Sequence, residues 1–128
     1  MRTNIENSSW KAKLAAFGAR NHLRPTRLEV LGPDRNIESD FWLEDDLLLA
    51  GIDLDIDGER GPFVEIMLQA SKTKPANHMT HSVAEVKRIA INTDATHDEG
   101  LEIEDAKGTV TIMRFEDEVT NADQSARK

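Results

Sequence analysis

LAGIDLDIDG, residues 49–58, interleaves apolar Ile52, Leu54 and Ile56 with Asp53, Asp55 and Asp57 before Gly58. Two readings compete for it. Aspartates two residues apart, closed by glycine, open the calcium loop of helix-loop-helix proteins, which ends on a bidentate glutamate at its twelfth position. Here the twelfth position is Val64, and the nearest glutamate, Glu65, falls one residue late. The flanks, LLLAGI and FVEIML, read as strands rather than helices. A half-buried strand accounts for the same residues, because side chains two apart share a face: the apolar set turns inward and the aspartates outward. Asp57, Gly58 and Glu59 then open a hairpin loop.

The same period of 2 runs through most of the chain. TRLEVLG places Leu28 and Val30 on one face and is closed by the turn signal GPDRN. IESDFWLE, PFVEIMLQA, HMTHSV and VKRIAINT follow as strands. The last of these sets Val86, Arg88, Ala90 and Asn92 against Lys87, Ile89 and Ile91. LEIED and TVTIMRF, joined by AKG, read as a tight hairpin around Gly108. Roughly seven or eight strands, about 8 to 12 residues apart and without helices between them, predict antiparallel sheet and not βαβ units.

The one convincing helix precedes them, in SSWKAKLAAFGARNH. Trp10, Leu14 and Phe17 fall on a single stripe, Ser8 or Ser9 supplies the N-cap, and Pro25 prevents continuation. The predicted fold is therefore α+β: a small antiparallel β-barrel-like or strongly curled sheet, capped by one N-terminal amphipathic helix. Residues 1–7 are expected to be loose, 8–116 to form a single domain, and 117–128 to be a polar tail.

A chain of 128 residues supports one core. Its lack of cysteine removes disulfides, thiolate metal sites and cysteine nucleophiles. No apolar run approaches the roughly 20 residues of a membrane helix, so a cytoplasmic location is expected. The charge is lopsided. Between Glu29 and Glu65 twelve acids face two bases, Arg35 and Arg60, a local charge of −10 that leaves +2 for the rest of a chain of net −8. Such a lobe repels nucleic acid and anionic membrane and favours a basic protein as partner. Two copies meeting through it repel, so a monomer is expected. Within the lobe, SDFWLEDD supplies Asp40, Phe41, Trp42, Glu44, Asp45 and Asp46 as candidate partner-binding residues. Adjacent strand residues point oppositely, so one of Phe41 and Trp42 is expected outside, as an anchor, and the other inside.

Signals for catalysis are absent. There is no Gly-x-Ser-x-Gly elbow, no phosphate-binding glycine loop and no dinucleotide fingerprint, so no catalytic residue and no cofactor are expected. HMTH spaces His78 and His81 as helical metal ligands are spaced, but in a strand residues three apart face opposite ways. The chain also resembles a bacterial family known only as domain of unknown function, number 5335. The resemblance rests on the tryptophan-headed helix, LEVLG, DLLLAGIDLDI, FVEIML, HMTHSV and EGLEIEDAKGTVTIMRF, and covers residues 8–115. It implies a single compact bacterial domain, carries no assigned activity, and draws attention to His78, His81 and Glu102. The expected function is that of a non-enzymatic interaction or accessory domain presenting its acidic lobe, residues 29–65, to a protein. The alternative is a small-ligand or divalent-metal pocket near His81 and the row Asp53, Asp55 and Asp57, joined by His78.

Overall fold

A computed structural model describes residues 1–33, 37–41, 47–59, 61–70, 78–94 and 96–116, with 37–41 described by their backbone alone. The chain runs through β1 (Arg2–Asn4), a 3-10 turn (Asn7–Ser9), α1 (Trp10–Arg20), β2 (Thr26–Leu31), β3 (Ile37–Phe41) and β4 (Leu48–Asp55). It continues through β5 (Phe63–Gln69), β6 (His78–Val83), β7 (Val86–Thr93), β8 (Asp98–Asp105) and β9 (Val110–Phe115). Two antiparallel sheets result, a six-stranded one in the order β1-β7-β8-β9-β2-β3 and a three-stranded one in the order β4-β5-β6. The α+β class and the N-terminal helix match the sequence reading, and no closed barrel is found among these strands.

Alternation sets the faces. On the small sheet, Leu54, Val64, Ile66 and Leu68 are buried, while Asp53 and Asp55 are exposed on the reverse side of β4. On the large sheet Leu28, Ile89, Leu101, Ile103 and Met113 turn inward to the same core. Trp10, Leu14 and Phe17 of α1 join them, as the stripe predicts. Each such side chain contributes about 1.5–3 kcal/mol by leaving water. Phe17 stacks on Phe115 with ring centroids 5.7 Å apart, and the Trp10 indole Nε1 donates to the Ile5 carbonyl at 3.0 Å.

Helix α1 also solves an edge problem. The free side of β4 would expose unpaired main-chain groups, a template for unwanted pairing. The helix packs against β4, and the segment after it bonds the start of that strand: Leu23 N–H to the Leu49 carbonyl at 2.7 Å, and Leu49 N–H to the Arg24 carbonyl at 3.0 Å. Leu23 adopts φ 72° to do so, and Glu85 adopts φ 54° where the chain passes from β6 in one sheet to β7 in the other. Left-handed backbone at such residues costs roughly 1–3 kcal/mol each, so both crossings are held by surrounding contacts. At Glu85 these are the flanking bonds from Val86 N–H to the Pro62 carbonyl and from Ala106 N–H to the Glu85 carbonyl.

Four expectations change. Ile56, expected inward with Ile52 and Leu54, is 47% exposed, because β4 ends at Asp55 and the alternation ends with it. The N-terminal residues are not loose throughout, because Arg2–Asn4 pair with Asn92, Ile91 and Ala90 of β7. Polar side chains gave no hint of this, since the pairing is made by the main chain. Val86 does not share a face with Arg88: a bulge between them shifts the phase, so Val86, Ile89 and Ile91 all reach the core. The strand read at LEIED begins earlier, at Asp98, and Gly100 lies within it. A β-carbon at Gly100 would sit 2.1 Å from the Met113 carbonyl oxygen, so only glycine fits that close approach. The AKG hairpin forms as read, with Gly108 at φ 91° and the Asp105 carboxylate accepting from Lys107 and Thr109 N–H at 2.9 and 3.0 Å.

Candidate functional site

The outer face of the small sheet carries the aspartate row. Asp53 lies directly opposite Glu65, and Asp55 opposite Phe63. Beyond Asp55 the chain turns: Asp57 N–H donates to the Asp55 carboxylate at 3.1 Å, an Asx turn that opens the hairpin loop. Asp53, Asp55, Gly58, Glu59, Phe63 and Glu65 line a shallow cleft of about 380 Å³. Neither β4, β5 nor β6 contains a lysine or arginine. Asp53, Glu59 and Glu65 make no ion pair among the described residues. Met67, also on this face, is half-buried beside the backbone of Gly51.

The other candidates fall in different places. His78 is exposed at the start of β6, while His81 turns inward, opposite buried Ile66, and its Nε2 lies 3.1 Å from the Thr111 hydroxyl of the other sheet. Burial lowers the His81 pKa below its usual value. The structure therefore brings neither His78 nor the row of Asp53, Asp55 and Asp57 to His81. Among the described residues no three His, Asp or Glu side chains are placed to hold a metal ion. Asp40 and Phe41 lie on β3, paired with Glu29 and Leu28 of β2. Trp42, Glu44, Asp45 and Asp46 are outside the described residues.

Glu29 begins the acidic lobe in sequence but not in space. It is buried on the outer face of the large sheet, where it accepts from Arg114 at 3.0 Å and Arg27 at 3.4 Å. The same face holds a second network: Glu102 receives Arg2 at 3.1 Å and Arg88 at 3.6 Å, and Arg88 also reaches Glu104 at 2.9 Å. Glu29, Glu102 and Glu104 of the large sheet are thus each paired with arginine, whereas the fully charged residues on the strands of the small sheet are all acidic.

A third cluster escaped sequence reasoning. Asp98, at the start of β8 and buried, accepts from Arg20 Nε at 2.6 Å, Arg20 Nη2 at 3.2 Å and Asn21 Nδ2 at 2.8 Å. Arg24 donates to the Asn21 side-chain oxygen at 2.8 Å and to the Asp98 carbonyl at 2.9 Å, with its guanidinium 4.0 Å from the Phe115 ring centre. Burial pushes the Asp98 carboxyl up, but hydrogen bonds from Arg20 and Asn21, with the charges of Arg20 and Arg24, outweigh it and hold the pKa below the ordinary value. The bond to Asp98 in turn raises the Arg20 pKa, against a smaller opposing effect of burial. A cavity of about 590 Å³ adjoins this cluster. Both oxygens of Asp98 are engaged, so the cluster acts as a clamp between the end of α1 and β8. The adjacent Arg20-Asn21 at a helix end was its only trace in the sequence.

No family model matches the chain, and no curated protein and no solved structure shows significant similarity to it.

Proposed function

We propose that the protein is a non-enzymatic interaction domain, an accessory module of the bacterial cytoplasm that presents the acidic face of its small sheet to a basic protein segment. Membership in the family of domain of unknown function 5335 belongs to the same proposal and assigns no chemistry. One observation carries the reading: Asp53 and Glu65 oppose each other directly, on a sheet whose strands hold no cation. Directly opposed like charges destabilise a sheet. A cationic partner removes that cost on binding, which makes the pair a reason for affinity rather than a defect. Phe63 and Met67, half-exposed beside the carboxylates, supply apolar contact that charge alone lacks. The other acids of the run from 29 to 65, Glu29 being neutralised by Arg114, extend the attractive field, which raises encounter rates and is screened beyond about 8 Å at physiological salt.

The test is fluorescence anisotropy with a labelled lysine-leucine peptide, titrated with wild type and with a variant carrying Asp53→Asn, Asp55→Asn, Glu59→Gln and Glu65→Gln. Saturable binding that weakens with salt and is lost in the variant is expected. Equal binding by both proteins would reduce this face to a solubilising surface. A second variant neutralising Asp40, Glu44, Asp45 and Asp46 asks whether the preceding segment shares the partner.

A further inference from the structure

A groove on another side of the molecule lies between β1 and α1. β1 is the outermost strand of the large sheet, and all of its residues are exposed. Two bonds fix how it is turned: Thr93 N–H to the Met1 carbonyl and Ile5 N–H to the Ile89 carbonyl, both 2.8 Å. Main-chain groups in an antiparallel ladder alternate between the two sides of a strand, so those of Arg2 and Asn4 point away from β7, off the edge of the sheet. The helix runs alongside. Ala12, Lys13 and Ala16 of α1, with Ile5 and Ile91 on the sheet side, border a groove of about 650 Å³ that extends from Ser9 to Arg20.

We propose that this groove binds an extended acidic peptide segment of a partner protein, which adds as a further strand to β1. Its dimensions suit that occupant: eleven helical steps at 1.5 Å cover about 16 Å, room for roughly five extended residues at about 3.3 Å each. Ala12 and Ala16 are exposed and small, so a strand can approach the helix closely, and alternate side chains of the peptide lie beside Thr3 and Ile5, β1-side residues that border the groove. The edge, unpaired among the described residues, supplies backbone hydrogen bonds, and the helix wall supplies side-chain selection, the division of labour in strand-addition sites. Charge selects the acidic peptide. α1 carries Lys11, Lys13 and Arg20 and no acid; Arg20 is held by Asp98, but Lys13 borders the groove, and neither lysine makes an ion pair among the described residues. Glu6 is the single acid bordering the groove. This is a local reversal of sign in a chain of net charge −8. That net charge also sets a second copy of the chain at a disadvantage as occupant. The inference is independent of the acidic face of the small sheet, which binds the opposite charge elsewhere.

The experiment uses the full chain and three labelled heptapeptides: alternating glutamate and valine, alternating lysine and valine, and the acidic peptide N-methylated at alternate residues. Anisotropy at low salt is expected to show saturable binding of the acidic peptide alone. Ala16→Trp, which fills the groove from an exposed position, and Lys13→Glu are each expected to weaken it by about tenfold or more, as is N-methylation. Ala15→Trp, on the helix but outside the groove, is expected to bind as wild type. Amide exchange at Arg2 and Asn4 is expected to slow when the peptide is bound. Equal affinity for the lysine peptide, unchanged binding by the N-methylated peptide, or unchanged binding by Lys13→Glu overturns the proposal. Should Ala16→Trp fail to fold by circular dichroism, Lys13→Glu and the peptide series decide. Dimerisation of the free protein that Lys13→Glu abolishes would assign the groove to a second copy and equally overturn it.

Discussion

Reversing one charge in the Asp53/Glu65 pair asks whether the acidic face of the small sheet is kept at the expense of stability. Side chains directly opposite on neighbouring strands have Cβ atoms about 5 Å apart. Two like charges at that distance repel by about 0.8 kcal/mol in a medium like water. Glu65→Lys replaces repulsion by attraction of similar size. Salt screening and the entropy of holding two exposed side chains together reduce the gain to about 0.5–1 kcal/mol. For a domain of this size that corresponds to a rise in Tm of about 2–5 °C. The assay is thermal and urea denaturation of wild type and Glu65→Lys at low and high salt. The gain should shrink as salt rises, and the same variant should lose the lysine-leucine peptide. Asp53→Asn, which removes repulsion without adding attraction, should fall between the two. A Glu65→Lys protein no more stable than wild type at low salt would mean that the opposed carboxylates exert no strain, and the argument for a waiting cationic partner would fail.

Other consequences follow from the interior. Asp98→Ala strands buried Asn21 and half-exposed Arg20 and should cost about 2 kcal/mol in urea denaturation at pH 7, a figure already reduced for the exposure of Arg20. Because the folded Asp98 pKa lies below its unfolded value, that contribution is complete above the ordinary aspartate range and is lost as pH falls through the folded pKa. The wild-type and mutant curves should therefore converge in strong acid, and a constant gap would refute the pairing. His81 has the opposite ionisation but a similar trend: its folded pKa is lowered, so the unfolded state binds more protons and stability rises with pH up to about 6.5. His81→Gln should flatten the slope of stability between pH 5 and 7, and an unchanged slope would assign the titration elsewhere. Leu54→Ala should cost about 2–4 kcal/mol through lost burial and a cavity, while Asp55→Asn on the opposite face should cost little, because the amide oxygen can still accept from Asp57 N–H. Equal midpoints for Leu54→Ala and wild type would mean the faces of β4 are reversed.

Wherever one strand or helix decides the matter by itself, the sequence alone was sufficient. Ile52 and Leu54 against Asp53 and Asp55 define the two faces of β4, because side chains alternate whatever the neighbouring strand. Trp10, Leu14 and Phe17 define the buried stripe of α1, and Asp105 to Gly108 define a hairpin, because the turn is satisfied by its own residues. The same alternation was enough to separate His78 from His81. Tertiary structure decided everything that depends on who the neighbours are. The division into two sheets, the pairing of polar Arg2–Asn4 with β7 and the bulge beside Val86 rest on main-chain bonds that any side chains permit. Glu29 belongs to an acidic run in sequence, yet Arg114 from β9 neutralises it in the fold, so its charge is not part of the acidic surface. Asp98 meets Arg20 and Asn21 across more than seventy residues. A periodic pattern tells a side chain which way to face, whereas a charge or hydrogen-bonding group acquires its role only from the partner that the fold brings within about 3 Å.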